Sequence, residues 1–225
     1  MKYLLSSAVV VILCSSHIVL AEDVSLIAPG GMRCPIGRIT PDFERKTGHK
    51  VKATIGSGGV THQQVVKGDP FDVPIVQPPY QDVIASGNVV ASTETPLATV
   101  AVVVVVRKGS PKPDISTSDA VKRMLLATKA ISYPNGATGA GAGVSIDGTM
   151  KKLGVFEEMQ PKVKRVQGVA LLQLLTKGDI DVALTYASEI DDPGVEVVGP
   201  LPREISTPTG LVGFISAQTK VPVAA

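Results

Sequence analysis

The apolar positions of this chain come in short runs, and the spacing alternates between that of strands and that of helices. Val24–Ala28 is an apolar run of strand length, broken by Pro29-Gly30-Gly31. From Pro35 to Thr47, Ile36, Ile39 and Phe43 recur at helical spacing, and Gly48 is placed to stop the helix. Val51–Ile55 alternates as a strand, Gly56-Ser57-Gly58-Gly59 follows, and a helix is predicted from Val60 to Lys67. Phe71–Val76 is a third strand. Val100–Val106 is nearly all valine and alanine, too short to cross a bilayer, which reads as one strand buried on both faces. Ser116–Asp119 has the spacing of a capping box for a helix through Ala127. Ala130–Tyr133 is a short strand, and the glycine-rich tract Asn135–Gly143 leads into a helix over Val144–Leu153. Val169–Leu175 is helical up to Gly178, and Asp181–Tyr186 is a strand. Strands alternating with helices predict an α/β fold with a largely parallel sheet.

One local pattern occurs three times. A strand runs into a glycine-rich turn and then into a helix, at Pro29-Gly30-Gly31, at Gly56-Ser57-Gly58-Gly59 and at Ala140-Gly141-Ala142-Gly143. Glycine lets a ligand approach the backbone. The first helical turn offers N–H groups without intrahelical acceptors and the positive end of the helix dipole, which suits an anion. Glycine in such turns also has a purely structural reading. Three together predict a cage of neutral donors around one cleft.

Composition adds compartment and removes chemistry. The chain has 225 residues, 44% hydrophobic, with a formal charge of +2 and no tryptophan. That charge and the absence of a long basic run give no electrostatic footprint for nucleic acid. Lys2 precedes an apolar stretch ending at Val19-Leu20-Ala21, the layout of a cleaved secretory signal over residues 1–21. Cys14 lies inside that leader, so the mature chain keeps Cys34 alone, expected as a small buried apolar residue. His49 and His62 are too far apart for a zinc site, and neither a metal nor a cofactor is expected. Gly141-Ala142-Gly143-Val144-Ser145-Ile146 lacks the lysine of a phosphate loop and the third glycine of a dinucleotide fingerprint. No nucleophile elbow is present. Asp69 and Asp72 flank Pro70-Phe71, which a turn and a strand start explain.

Several stretches resemble the molybdate-binding periplasmic proteins and the wider superfamily of solute-binding proteins with the type II periplasmic fold. They are GSGGVT at 56–61, KGDPFDV at 67–73, KGSPKPD at 108–114, VALLQLLTKGDIDVALTY at 169–186, SEI at 188–190 and VEVVGPLP at 195–202. The resemblance runs from about residue 24 to 215. It implies two α/β lobes, each a mixed, mostly parallel sheet flanked by helices, with a ligand cleft between them. Lobe one would hold residues 22–100 and the returning segment 193–225; lobe two would hold 101–192.

The resemblance further implies a periplasmic, monomeric protein that closes on a small anion and delivers it to the permease of an ABC transporter. Where the molybdate binders place a serine in each of the first two turns, this chain has Gly31, preceded by Gly30, and Gly58, flanked by Ser57 and Gly59. The second-lobe helix start is matched by Ala142-Gly143, a backbone donor by Gly168 or Val169, and the tyrosine after the last strand by Tyr186. Two hydroxyl donors are thus lost. Hydrogen bonds to a charged group contribute about 1.5–3 kcal/mol each, so their loss weakens a bare oxyanion, with Ser57 as a candidate replacement. Glycine there also makes room for an organic carboxylate, with Arg33 or His62 supplying charge. Binders of this kind continue past the last strand with a further helix, so a chain ending at Ala225 is expected to leave an apolar patch on lobe one. Two functions stay open: a binding protein without catalytic residues, or a secreted lyase or isomerase acting on a small acid.

Overall fold

The computed structural model describes residues 21–166 and 168–225. The expected leader and Cys14 lie outside the described residues, apart from Ala21. Two five-stranded mixed sheets form the molecule, the first in the order β2-β1-β3-β10-β4 and the second in the order β7-β6-β8-β5-β9.

The first sheet is built from β1 (Asp23–Pro29), β2 (Lys50–Gly56), β3 (Val73–Val76), β4 (Thr95–Val100) and β10 (Thr209–Gly213). α1 (Arg33–Thr47), α2 (Gly58–Lys67) and the short α3 (Gln81–Ala85) flank it. The second sheet contains β5 (Val102–Arg107), β6 (Ile131–Ser132), β7 (Val163–Lys164), β8 (Val182–Tyr186) and β9 (Val195–Pro200). Its helices are α4 (Ser118–Ala127), α5 (Gly141–Lys152), α6 (Phe156–Met159) and α7 (Val169–Lys177). β1 pairs in parallel with β2 and β3, and β6 in parallel with β7 and β8. β10 and β5 are antiparallel to both of their neighbours. Parallel pairing is thus confined to the half of each sheet built from βαβ units, because the crossing strands enter from the other lobe and run back.

The valine tract is buried on both faces, as its composition predicts. Val102, Val104 and Val106 join one apolar cluster and Val103 and Val105 another, all at most 4% exposed. It is not one strand, however. Val100 ends β4 in the first sheet, Ala101 turns, and Val102 opens β5 in the second. The second crossing is the segment between β9 and β10. β9 pairs with β5, so the chain after 192 re-enters the first sheet only at β10. The two crossings lie side by side, with the Leu201 N–H donating to the Val102 carbonyl.

Helix starts differ from the sequence reading in a consistent way. α2 begins at Gly58 and α5 at Gly141, and a short 3-10 turn over Gly30–Met32 leads straight into α1. The glycines are therefore the first helical turns themselves. At α4 the cap is Thr117, whose hydroxyl accepts from the Ala120 N–H at 3.1 Å; the Ser116 hydroxyl donates to Asp114 instead.

Candidate functional site

All three glycine turns face one cleft of about 770 Å³ between the lobes. Gly30, Gly31, Ser57, Gly58, Ala142, Gly168, Val169 and Tyr186 line it, together with Ala140, Gly141 and Gln77. Gly58 of α2 and Gly141 and Ala142 of α5, first-turn residues from opposite lobes, therefore border the same space. Gly168 caps α7 at φ 59°, ψ −135°, a conformation that a side chain would oppose.

Four of the cleft glycines also accommodate a neighbour from elsewhere in the fold. A methyl group on Gly30 would stand 2.7 Å from Glu189 Oε1, and one on Gly31 would stand 3.2 Å from the Tyr186 ring. On Gly58 or Gly141 it would meet the Gln77 carboxamide at 2.6 or 2.5 Å. Gln77, at the end of β3, thus lies between the two opposed helix starts.

Two of the residues singled out in the sequence have other settings. Gly143 does not line the cleft. It packs into the 134–136 backbone, where a methyl group would overlap the Pro134 carbonyl. Gly59 bridges the lobes instead, donating its N–H to the Gly139 carbonyl at 2.8 Å. Ser57 joins that bridge: its hydroxyl donates to the Thr138 carbonyl at 3.1 Å while accepting from the Val60 N–H at 3.4 Å. The hydroxyl expected to replace a lost ligand donor is thus engaged in holding the lobes together. Tyr186 is similarly committed, its phenol donating to Thr209 Oγ1 at 2.9 Å. Burial pushes its pKa up to about 12, against the pull of that hydrogen bond, so it stays protonated at neutral pH.

Charge enters the cleft from both signs. Arg33 and Arg38 on α1 face Glu189, Asp191 and Asp192. Arg33 is where a charge donor was expected. His62 is not in this cleft; it bonds the Asp82 carboxylate at 3.0 and 2.8 Å along a second crevice of about 870 Å³. Gly58, Gln77, Gly141 and Tyr186 line both spaces and so form the partition between them. Cys34 is only partly buried and lines the cleft, rather than filling the core as expected, because the first turn of α1 looks into the cleft.

Glu189 was not singled out by the sequence. Burial pushes its carboxyl above the usual range, while the Thr185 hydrogen bond and the nearby Arg33 pull it down without restoring it. Asp69 and Asp72 do not act as a pair. Asp72 ties β1 to the C-terminal segment, accepting from the Ser25 N–H at 2.8 Å, the Ser25 hydroxyl at 2.5 Å and the Thr219 hydroxyl at 2.7 Å. Among the described residues, no group of three or more His, Cys, Asp or Glu is placed to hold a metal ion, and no helix is long and apolar enough to cross a membrane.

A cleft between two mixed sheets joined by two crossings is also what the comparisons with known proteins return. The model of the bacterial extracellular solute-binding protein family matches residues 24–225. The chain belongs to that family. It is 25% identical to the aconitate isomerase of a Pseudomonas species over 224 residues, covering 95% of this chain and 84% of that protein. The periplasmic molybdate-binding protein of Azotobacter vinelandii superposes with a TM-score of 0.71 at 17% identity, over 88% of this chain and 87% of that one. The L-phospholactate-bound PEB3 of Campylobacter jejuni superposes with a TM-score of 0.61 at 18% identity, over 89% and 90%. At those identities the structural likeness speaks for the fold alone.

Proposed function

We propose that this protein is a periplasmic solute-binding protein that captures a small anion by lobe closure and delivers it to an ABC transporter permease. The observation that carries the reading is the convergence of Gly30-Gly31, Gly58 and Gly141-Ala142 on one cleft, where helix-start N–H groups supply attraction without reactive side chains. The ligand class is an organic carboxylate ahead of a bare oxyanion. A space of about 770 Å³ suits a molecule of many heavy atoms better than a four-oxygen ion. The two serines of the molybdate binders are replaced by glycine, and Ser57 is turned to Thr138. Arg33 and Arg38 add fixed positive charge at the cleft wall.

A second reading, an isomerase acting on a small unsaturated acid, draws on the likeness to aconitate isomerase. One experiment separates the two. The protein is melted in the presence of molybdate, sulfate, phosphate, citrate and trans-aconitate, and each stabilising anion is then followed by NMR for product. Saturable stabilisation by a carboxylate without turnover supports the binding protein. Turnover replaces it with the enzyme, and stabilisation by oxyanions alone reverses the ligand class.

A further inference from the structure

Glu189 is an acid placed where an anion-binding cleft is least expected to carry one. Its Oε1 lies against the backbone of the first glycine turn, at 2.7 Å from the position of a methyl group on Gly30. Its Oε2 accepts the Thr185 hydroxyl. The carboxyl is thus held at Oε2 and borders the cleft. Next to it the Ser188 hydroxyl is buried without a partner among the described residues, and it stands 3.7 Å from a methyl group placed on Gly31. A carboxylate here would repel the ligand that the helix starts attract. A carboxylic acid here would instead add one donor to the set.

We propose that Glu189 receives the captured anion as a neutral carboxylic acid, donating its proton to a ligand oxygen, so that affinity falls when it ionises. The inference rests on the anion-binding reading of the cleft and names a specificity element within it: a donor suited to ligands that present bare acceptor oxygens. The direction is supported by burial, which favours the neutral form. The groups facing Glu189 from its surroundings are Thr185 and Tyr186 on β8, Ser188 beside it and Arg33 on α1; Asp191, Asp192 and Arg38 line the same cleft. Burial raises Tyr186, which stays neutral over the relevant range.

The test measures dissociation constants for trans-aconitate and molybdate against pH, from about 5 to 8.5, for the wild type and for Glu189→Gln. The ratio between the two proteins cancels the ligand's own titration. It should be near one in acid, where the amide imitates the protonated acid. It should rise to about tenfold or more in favour of the variant once Glu189 ionises. Thr185→Val removes a hydrogen bond that favours the ionised form, so it should move the midpoint of that rise to higher pH, and it serves as the second variant if Glu189→Gln folds poorly. A ratio that stays flat, or a wild type that binds more tightly than the variant at high pH, overturns the role of Glu189 and leaves the anion cleft standing. Failure of both anions to bind at any pH overturns the anion reading itself, and the role of Glu189 with it.

Discussion

The two lobes present similar walls to the cleft but rest them on different amounts of core. In the second lobe β5 is buried on both faces and β8 is buried along its whole length. In the first lobe α1 buries only Ile36 in its fifteen residues, and β2 at the sheet edge has no buried residue. The first-lobe turns are instead fitted against side chains and backbone of the second: Gly30 against Glu189, Gly31 against Tyr186, Gly59 against Gly139. The difference suggests a division of labour. One lobe is a firm body, and the other takes its cleft geometry partly from contact with that body. A binder that closes on its ligand is served by such an arrangement, because the contacts that order the looser wall are made as the lobes meet.

The sharpest way to break this comparison is to truncate one apolar residue in each lobe, on β8 and on α1. Leu184→Ala, in the middle of β8, should cost about 2–5 kcal/mol in urea denaturation. Ile39→Ala on α1, 60% exposed, should change stability by less than about 0.5 kcal/mol. Equal losses would show that the first lobe is packed as firmly as the second. The contact between lobes comes next. Gly59→Val places side-chain atoms where Gly139 Cα lies, and should disfavour this contact between the lobes by about 1–3 kcal/mol, seen as weaker anion binding.

A smaller effect separates two acids by the sign of their pH dependence. Burial alone would raise the Asp72 carboxyl, but hydrogen bonds from Ser25 and Thr219 outweigh it and hold it below its ordinary 3.8. It therefore contributes stability above that value and loses it as pH falls through the lowered folded-state value. Asp72→Asn should cost about 1–2 kcal/mol at neutral pH, a difference that shrinks in strong acid. Glu189 has the opposite sign. Its carboxyl is raised above the ordinary 4.5, so its contribution is present below that value and lost as pH rises through the folded-state value. Both amides imitate the protonated acid, so thermal melts of Asp72→Asn and Glu189→Gln should approach the wild type in acid and part from it in opposite directions as pH rises, Asp72→Asn melting below the wild type and Glu189→Gln above it.

Much of this was legible in the residues. The glycine turns could be read because strand, glycine and helix follow each other locally, and their order along the chain matched a known family. The valine tract was legible as doubly buried because its composition has no polar face. The break at Ala101 was not, since nothing in Val-Ala-Val marks a change of sheet; the partners that split it, β10 and β8, lie about eighty residues away or more. β9 was assigned to the wrong side of the crossing for the same reason, since a strand carries no sign of which sheet it joins. Glu189 and Gln77 escaped notice because exposed acids and amides are common in sequence, and only the fold brings one against Gly30 and the other between Gly58 and Gly141. Ser57 was visible as a hydroxyl, but its direction, toward Thr138, is tertiary information.

The central claim is that anions are held by main-chain amides of glycine turns from both lobes at once. Amide chemical shifts recorded by NMR during titration with trans-aconitate, and separately with molybdate, test it most directly. The account predicts that the amide signals of Gly31, Gly58, Gly141 and Ala142 move together and saturate at one dissociation constant. Signals that move only on exposed basic residues, or on the turns of one lobe alone, would contradict it.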